Sequence, residues 1–361
     1  MPYATPSPQS SGDGRGPGAG LSGKSHPVGR AILASWRRLT GGNATRDEDR
    51  RTLVALSGGA DSTALLLALA SQPRSVAAAH VVHDMRPAPE AEGDRAACER
   101  LCAAVGVAFV SRAIAVRGAG GNLEATARRA RYEALRDLAL ETGCRFVATG
   151  HHAEDQMETL LMRLLRGSGL HGMSGIRARR GIGSSVVLMR PMLSVGRADA
   201  ERLCRDLGVA WRTDATNADV RYLRARLRRE VMPALLAIAP QAPRHAVSVA
   251  RAMADAGAIM REAGEAALGR AAVQASDQAG ERGGSWSRDA LRREPPGVLR
   301  EAAATLVRRG GGTVRRREIA GVVRAIRSDD RTERRFEFEG CVLRVGSSEV
   351  LVEPRGRSLP G

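Results

Sequence analysis

Leu53-Val54-Ala55-Leu56-Ser57-Gly58-Gly59-Ala60-Asp61-Ser62 decides how this chain folds. The apolar run reads as a buried strand, the glycines as a tight turn, and Ser62 to Leu69 as the helix that follows. Glycines let backbone approach a ligand closely. Free N–H groups at a helix start, at the positive end of its dipole, make an anion site. Ser57 and Ser62 add hydroxyls. A lysine-based phosphate loop would carry its lysine here, but Asp61 stands instead. A carboxylate beside phosphates makes sense when both hold Mg²⁺; the structural alternative makes Asp61 a helix cap.

Outward from this stretch, short apolar runs alternate with helix-period runs. Strands are expected at Thr52–Leu56, Val76–Val82, Val107–Ile114, Phe146–Thr149 and Val186–Met189. Helices are expected at Val28–Leu39, Ser62–Leu69, Pro89–Val105, Leu123–Leu140 and Ala153–Leu165. The alternation predicts an α/β fold with a doubly wound, mostly parallel sheet, whose ligands bind beyond the strands' carboxyl ends. Residues 1–27 read as a disordered tail and 28–195 as the nucleotide-binding catalytic domain. Residues 196–240 read as a helical extension, and 241–361 as a smaller, mainly helical module whose arginine runs suit a nucleic acid. Within the tail, Gly18 to Ser25 fits the G-x-x-x-x-G-K-S pattern by letter, but no strand-forming run precedes it.

The 361 residues carry 56 Lys plus Arg against 39 Asp plus Glu, net +17, with Lys24 the sole lysine; this favours a polyanionic partner. Aromatic residues at 3% argue against a platform of rings for base stacking. Cys98, Cys102, Cys144, Cys204 and Cys341 contain no CxxC pair, which argues against a disulfide framework or structural zinc. With neither a secretory signal nor a membrane-length apolar run, a soluble cytoplasmic protein is expected.

A second chemical stretch, Thr149-Gly150-His151-His152-Ala153-Glu154-Asp155-Gln156-Met157-Glu158, leaves the fourth strand on the same rim. Asp155 and Glu158 share a helix face, with Met157, Leu160, Leu161 and Leu164 free to face the core; the alternative is a solvated acidic face. Zinc on His151, His152 and Asp155 lacks a third nitrogen or sulfur ligand. Arg128 and Arg131 lie one turn apart beside Tyr132 and either meet phosphate or carboxylate or are solvated. Gly167 and Gly169 end a helix. Arg224 and Arg228 share a face suited to RNA backbone. His80 and His83, at a strand end, read as hydrogen-bonded rim residues. Arg308, Arg309 and Arg315 to Arg317 flank a Gly310–Gly312 hinge and are either phosphate contacts or a solvated face.

Residues 57–62 match in full the SGGxDS signature of the PP-loop ATP pyrophosphatases, and the chain resembles that family. His80 to His83, Asn122 to Tyr132, Thr149 to Thr159, Arg163 to Leu170, Arg190-Pro191, Asp214 to Asn217, Arg224 to Arg228 and Pro233 follow in order. Over about residues 50–236 this order is similar to that of the tRNA(Ile)-lysidine synthetases, of the N-type PP-loop ATP pyrophosphatases. The resemblance implies a ligase using ATP and Mg²⁺. Such an enzyme adenylates the 2-oxo group of the wobble cytidine in tRNA(Ile) with a CAU anticodon, and free L-lysine then displaces AMP. It further implies nucleotide binding by Ser57, Gly58, Gly59, Ala60, Asp61, Ser62, Gly150 and His151. Catalysis would fall to Asp61, Asp155 and Arg128, with Mg²⁺ on Asp61 through the phosphates. Substrate contacts would come from Glu124, Arg131, Glu158, Arg224 and Arg228, with Asp155, Glu158 and Glu124 as candidates to steer the lysine amine. Asp84 stands where the family usually has glycine and Ala225 where it has asparagine. The alternatives are another enzyme of this family, a tRNA thiolase or a small-molecule AMP-forming synthetase, and, from a different class, a non-catalytic RNA-binding protein. Monomer and homodimer both stay open.

Overall fold

The structure is a computed structural model that describes residues 21–84, 87–117, 123–212, 223–274 and 284–355. Strand β1 (Thr52–Ala55) lies inside a six-stranded sheet, and its adjacent residues Leu53 and Val54 enter different cores. Successive strand residues point to opposite faces, so an apolar run without polar alternation requires cover on both sides. That cover exists. Val54 packs with α1 (Pro27–Leu39), α2 (Ala60–Leu69) and α3 (Ala88–Val105), while Leu53 packs with α4 (Leu123–Glu141). Helix α2 is buried from Ser62 to Leu69, which suits a sequence with no polar face there.

The other strands are β2 (Val76–His83), β3 (Ala108–Ile114), β4 (Phe146–Ala148), β5 (Arg179–Ile182) and β6 (Val186–Met189), in the order β3-β2-β1-β4-β6-β5. All pairs are parallel except β5 with β6. The chain moves outward from β1 to β3, then returns to β4 on the other side of β1. The carboxyl ends of β1 and β4 therefore flank a topological switch point, where such sheets bind ligands. Strand β5 was not anticipated, because Arg179-Arg180-Gly181 lacks β-branched or aromatic residues. It is held as a hairpin by a turn with Gly183 at φ 84°.

Helices α5 (Ala153–Leu165), α6 (Leu170–Met173), α7 (Arg197–Asp206), α8 (Leu223–Arg226) and α9 (Met232–Ile238) complete this part. Between α8 and α9 the helix widens to a π-turn over Leu227–Val231. Pro233 has no N–H and its ring crowds the carbonyl four residues back, so a widened turn relieves the helix there. The disordered reading of residues 21–27 is corrected. Gly23–Ser25 forms one 3₁₀ turn, Gly23 lies against Ala68, and His26 Nδ1 caps α1 by accepting from Val28 N–H at 3.2 Å. Residues 1–20 lie outside the described residues.

The chain divides into two compact units, one ending at Ala250 and the other beginning at Arg251, inside α10 (Ala242–Ala271). The second unit has α11 (Arg288–Arg292), α12 (Pro296–Arg309) and α13 (Arg316–Arg327). Its sheet runs β7 (Ala272–Gln274), β8 (Gly284–Ser287), β11 (Glu349–Pro354), β10 (Cys341–Val345), β9 (Arg334–Phe338), antiparallel throughout. The Gly/Ser-containing run Gly284–Ser287 is thus a strand, and Cys341–Val345 with Glu349–Pro354 forms a hairpin. The expected Gly310–Gly312 hinge is instead a helix cap. Gly311 has φ 80°, and Gly312 N–H and Gly311 N–H donate to Val307 O and Arg308 O, at 2.8 and 3.0 Å. The neighbouring arginines are paired as well, Arg308 with Glu301 at 2.6 Å and Arg309 with Glu265. Among the described residues no helix is long and apolar enough to cross a membrane.

Arg288 is fully buried and donates to Ala325 O, Ser328 O, Asp330 O and Gly346 O at 2.7 to 2.9 Å, closing the carboxyl end of α13. Replacing it with Met removes the guanidinium donors from these carbonyls and is expected to destabilise the second unit by about 3 kcal/mol. Hydrogen exchange along α13 and β10 reads this directly; unchanged protection would contradict it.

Candidate active site

The turn after β1 is tied by its own atoms. Ser62 Oγ accepts from Ser57 N–H at 3.1 Å, lies 3.0 Å from Ser57 Oγ and donates to Gly59 O at 3.0 Å. Ser62 therefore shapes the loop. Gly58 adopts φ 84°, a conformation that disfavours any side chain. Gly59, not Asp61, occupies the cap position of α2, and no side chain caps that helix. Its first N–H groups thus remain for an anion. Gly150 lies against the same turn: a Cβ there would sit 3.0 Å from Asp61 C and 3.1 Å from Ser62 N. His80 Nδ1 meets Leu56 O at 2.8 Å, with Cys98 Sγ 3.6 Å away, so His80 supports the turn from β2. Arg212 N–H donates to Gly58 O at 2.9 Å, and its guanidinium pairs with Asp94 of α3.

Two carboxylates meet beside this loop. Asp61 Oδ1 is buried and has no hydrogen-bond partner among the described residues. Asp61 Oδ2 and Asp155 Oδ2 each lie 3.6 Å from His152 Nε2, and His152 Nδ1 lies 2.9 Å from Glu154. Burial pushes Asp61 above the usual carboxylate range, with Asp155 adding to the rise and His152 opposing it. Burial works against the charge on Asp155 too, yet His152 and Arg224 hold that carboxyl below its ordinary value. Burial likewise disfavours charge on His152, but Glu154, Asp155 and Asp61 raise it above the ordinary imidazole value. His151 behaves oppositely: burial, with Arg190, Arg128 and Arg131 outweighing Asp155, pushes it down to about 3, and Nδ1 lies 2.9 Å from Thr149 Oγ1.

The acidic face of α5 is not solvated. Glu158 is buried and accepts from Arg224 Nε and Arg228 Nε, both at 2.7 Å, while Asp155 accepts from Arg224 at 2.6 Å and Arg228 at 3.3 Å. Arg224 and Arg228 do share a face, but it turns inward onto these acids, with side chains 30% and 37% exposed. Without a ligand, both guanidiniums thus form an ion-pair network with Asp155 and Glu158. Met157 and Leu160 face the core, whereas Leu164 is 63% exposed. Arg128 donates to Tyr132 Oη at 3.3 Å, and both Arg128 and Arg131 stand over the Tyr132 ring. The side chain of Glu124 lies outside the described residues, as do Asn122, Asp214, Asn217 and Tyr222. Asp84 accepts from Val116 N–H at 2.8 Å and Arg117 N–H at 3.1 Å, fastening the loop after β3.

Sequence reasoning weighed His152 only as a zinc ligand and Arg190 only as part of a motif, and it passed over Arg212; in the structure His152 joins the two carboxylates. His152 and His151 are adjacent and alike by letter; only their opposite directions separate them. Arg212 could have been suspected from Trp211-Arg212 opening a long polar loop.

The chain matches the profile of the PP-loop domain across residues 34–235, a span holding every group above. The chain belongs to the PP-loop family. The chain is 42% identical over 232 residues to a tRNA(Ile)-lysidine synthase of Ralstonia nicotianae, covering 61% of this chain and 48% of that protein. Proteins of the same name from Geobacter sulfurreducens and Deinococcus radiodurans are 37% and 40% identical, over 75% and 76% of this chain and 57% and 44% of theirs. The chain thus spans about half the length of these relatives. The U34-tRNA thiolase NcsA from Methanococcus maripaludis superposes with a TM-score of 0.50 at 15% identity, covering 63% of this chain and 77% of that one, a likeness of fold alone.

Asp61 titrates higher in the fold than in an unfolded chain, so its ionised form costs stability at neutral pH. Its stabilising contribution holds at acid pH and disappears as pH rises through the folded value. Asp61→Asn is therefore expected to raise Tm at pH 7, without divalent cations, by on the order of 2 °C. At about pH 4 and below the gain should vanish. Calorimetry at both pH values checks this, and a lower Tm at pH 7 would contradict it.

Proposed function

We propose that this PP-loop chain activates the wobble cytidine of tRNA(Ile) bearing a CAU anticodon with ATP and joins it to free L-lysine, giving lysidine, AMP and pyrophosphate. The carrying observation is an uncapped, lysine-free helix start beside two carboxylates, half-buried Asp61 and buried Asp155, in a chain 37–42% identical to proteins named tRNA(Ile)-lysidine synthase.

The donor set fits Mg²⁺. Asp61 Oδ1 is a buried oxygen without a partner, and Asp155 is the second carboxylate. Among the described residues no trio of His, Cys, Asp or Glu converges to hold a metal unaided, as suits an ion that completes its shell with phosphate oxygens and water. Asp61 and Asp155 would hold the ion, which neutralises charge on the triphosphate. The N–H groups of Ala60, Asp61 and Ser62 face the phosphates and favour charge growing on the leaving pyrophosphate. The cytidine 2-oxo group attacks the α-phosphorus; the lysine ε-amine then attacks C2, and AMP leaves with the former base oxygen. Asp155 and Glu158 offer carboxylates to an ammonium, and Arg224 and Arg228 offer guanidiniums to a carboxylate, a pairing matched to a free amino acid. His151, held neutral, places no cation next to the nucleotide. Sulfur transfer finds no support in the cysteines: all five are buried free thiols, with Cys98, Cys102 and Cys204 pushed up to about 12.

The test is incubation of the chain with ATP, Mg²⁺, radiolabelled lysine and total tRNA. Label is expected in one isoleucine acceptor, only with ATP, and Asp61→Asn should reduce it at least about 100-fold. ATP turnover that ignores tRNA would favour a small-molecule synthetase and overturn the proposal.

A further inference from the structure

One face of α4 and one face of β5 enclose a cleft of about 400 Å³, lined by Ala125, Arg128, Arg129, Tyr132, Glu133 and Arg136 on the helix, and by Arg180, Ile182 and Gly183 on the hairpin. The helix positions recur at the spacing of a single stripe, and Arg180 and Ile182 share one side of their strand. Four arginines meet one glutamate here, and the nearest approach of that glutamate to an arginine, Glu133 to Arg129, is 3.9 Å.

The charge is poorly balanced. Arg128, Arg131 and Arg180 all stand over the Tyr132 ring, at 5.4, 5.9 and 5.3 Å from its centre, and among the described residues none of the three has a carboxylate partner. The buried Arg190 also interacts with Tyr132, and its Nε–H has no acceptor among the described residues. Three guanidiniums around one neutral ring repel each other, and the ring quadrupole offsets only part of that repulsion. Arg136, by contrast, is answered by Asp137 at 2.7 Å. An oxyanion entering the cleft would meet the fork geometry of Arg128 and Arg180 from two different elements.

We propose that this cleft is a second anion site, distinct from the nucleotide loop, which holds a backbone phosphodiester of the RNA substrate beside the reacting base. The proposal rests on the reading of the chain as a tRNA-modifying enzyme. Arg128 belongs to both places, so a strand seated in the cleft leads toward His151 and the loop; Arg180 and Arg129 act only on the outer part. Phosphate contact carries no sequence information, so this site sets register rather than choosing the base.

The experiment compares Arg180→Glu with Arg179→Glu, adjacent exposed arginines of one strand that face opposite sides. The probe is the anticodon stem-loop RNA of the CAU-bearing isoleucine tRNA, with a scrambled-loop RNA beside it, and affinity is read across a salt series. Arg180→Glu is expected to weaken both RNAs about tenfold and to lower the salt slope by about one, while Arg179→Glu stays within about twofold of the parent. Equal losses in the two variants, or no loss in Arg180→Glu, overturn the proposal. Displacement of RNA from the parent by inorganic pyrophosphate, with that displacement lost in Arg180→Glu, assigns the cleft to free polyphosphate and also overturns it. A parent chain that labels no tRNA with lysine would sink the underlying enzymatic reading instead, and that outcome is read before the variants are made.

Discussion

The buried oxygen of Asp61 is the constraint around which the first unit is arranged. An unpartnered carboxylate oxygen next to a second carboxylate is unfavourable in a folded protein, and here it survives at the exit of the central strand. The surroundings hold it there without neutralising it. Ser57 and Ser62 lock the turn, Gly150 leaves room for backbone to lie against backbone, and His152 places one imidazole between the two acids. Strain of this kind is tolerated where a ligand relieves it.

Sheet topology makes the meeting of these groups unavoidable. Asp61 and Asp155 are 94 residues apart, yet each enters the helix that follows its strand, and those strands, β1 and β4, are hydrogen-bonded neighbours at the switch point. The loop of β1 and the loop of β4 are therefore side by side on one rim. The helical segment carrying Arg224 and Arg228 then closes over Glu158 and Asp155, converting two potentially repelling acids into a four-membered ionic network. The widened turn before Pro233 lies in the same helical segment, so the irregular backbone and the network are neighbours in sequence.

Arginine serves several unlike purposes here, which a net charge cannot distinguish. Arg288 is internal scaffolding, Arg50 is buried against Trp36 and donates to Thr40 and Gly42, and Arg308 and Arg309 are neutralised by acids. Around Tyr132, positive charge collects without matching carboxylates among the described residues. A charge of +17 is thus a sum over structural and functional guanidiniums.

Much of the fold was readable from local pattern. The unbroken apolar run at Leu53–Leu56 demanded a sheet covered on both faces, and strand-turn-helix at Ser57–Ser62 and at Thr149–Asp155 placed both loops on one rim. What local pattern missed had little local signal: Arg179–Ile182 is a strand because β6 offers an open edge, and Gly284–Ser287 pairs with β11 although its glycine and serines are poor strand formers. By itself, then, the sequence determined the alternation of elements, the lysine-free loop and the acids available to it, because these follow from residue type and spacing of a few positions. Only the tertiary structure decided that His152 rather than His151 links the acids, that Arg224 and Arg228 turn inward, and that Arg180 faces α4. Those are directions of side chains set by packing between segments distant in the chain, and no short-range pattern encodes them.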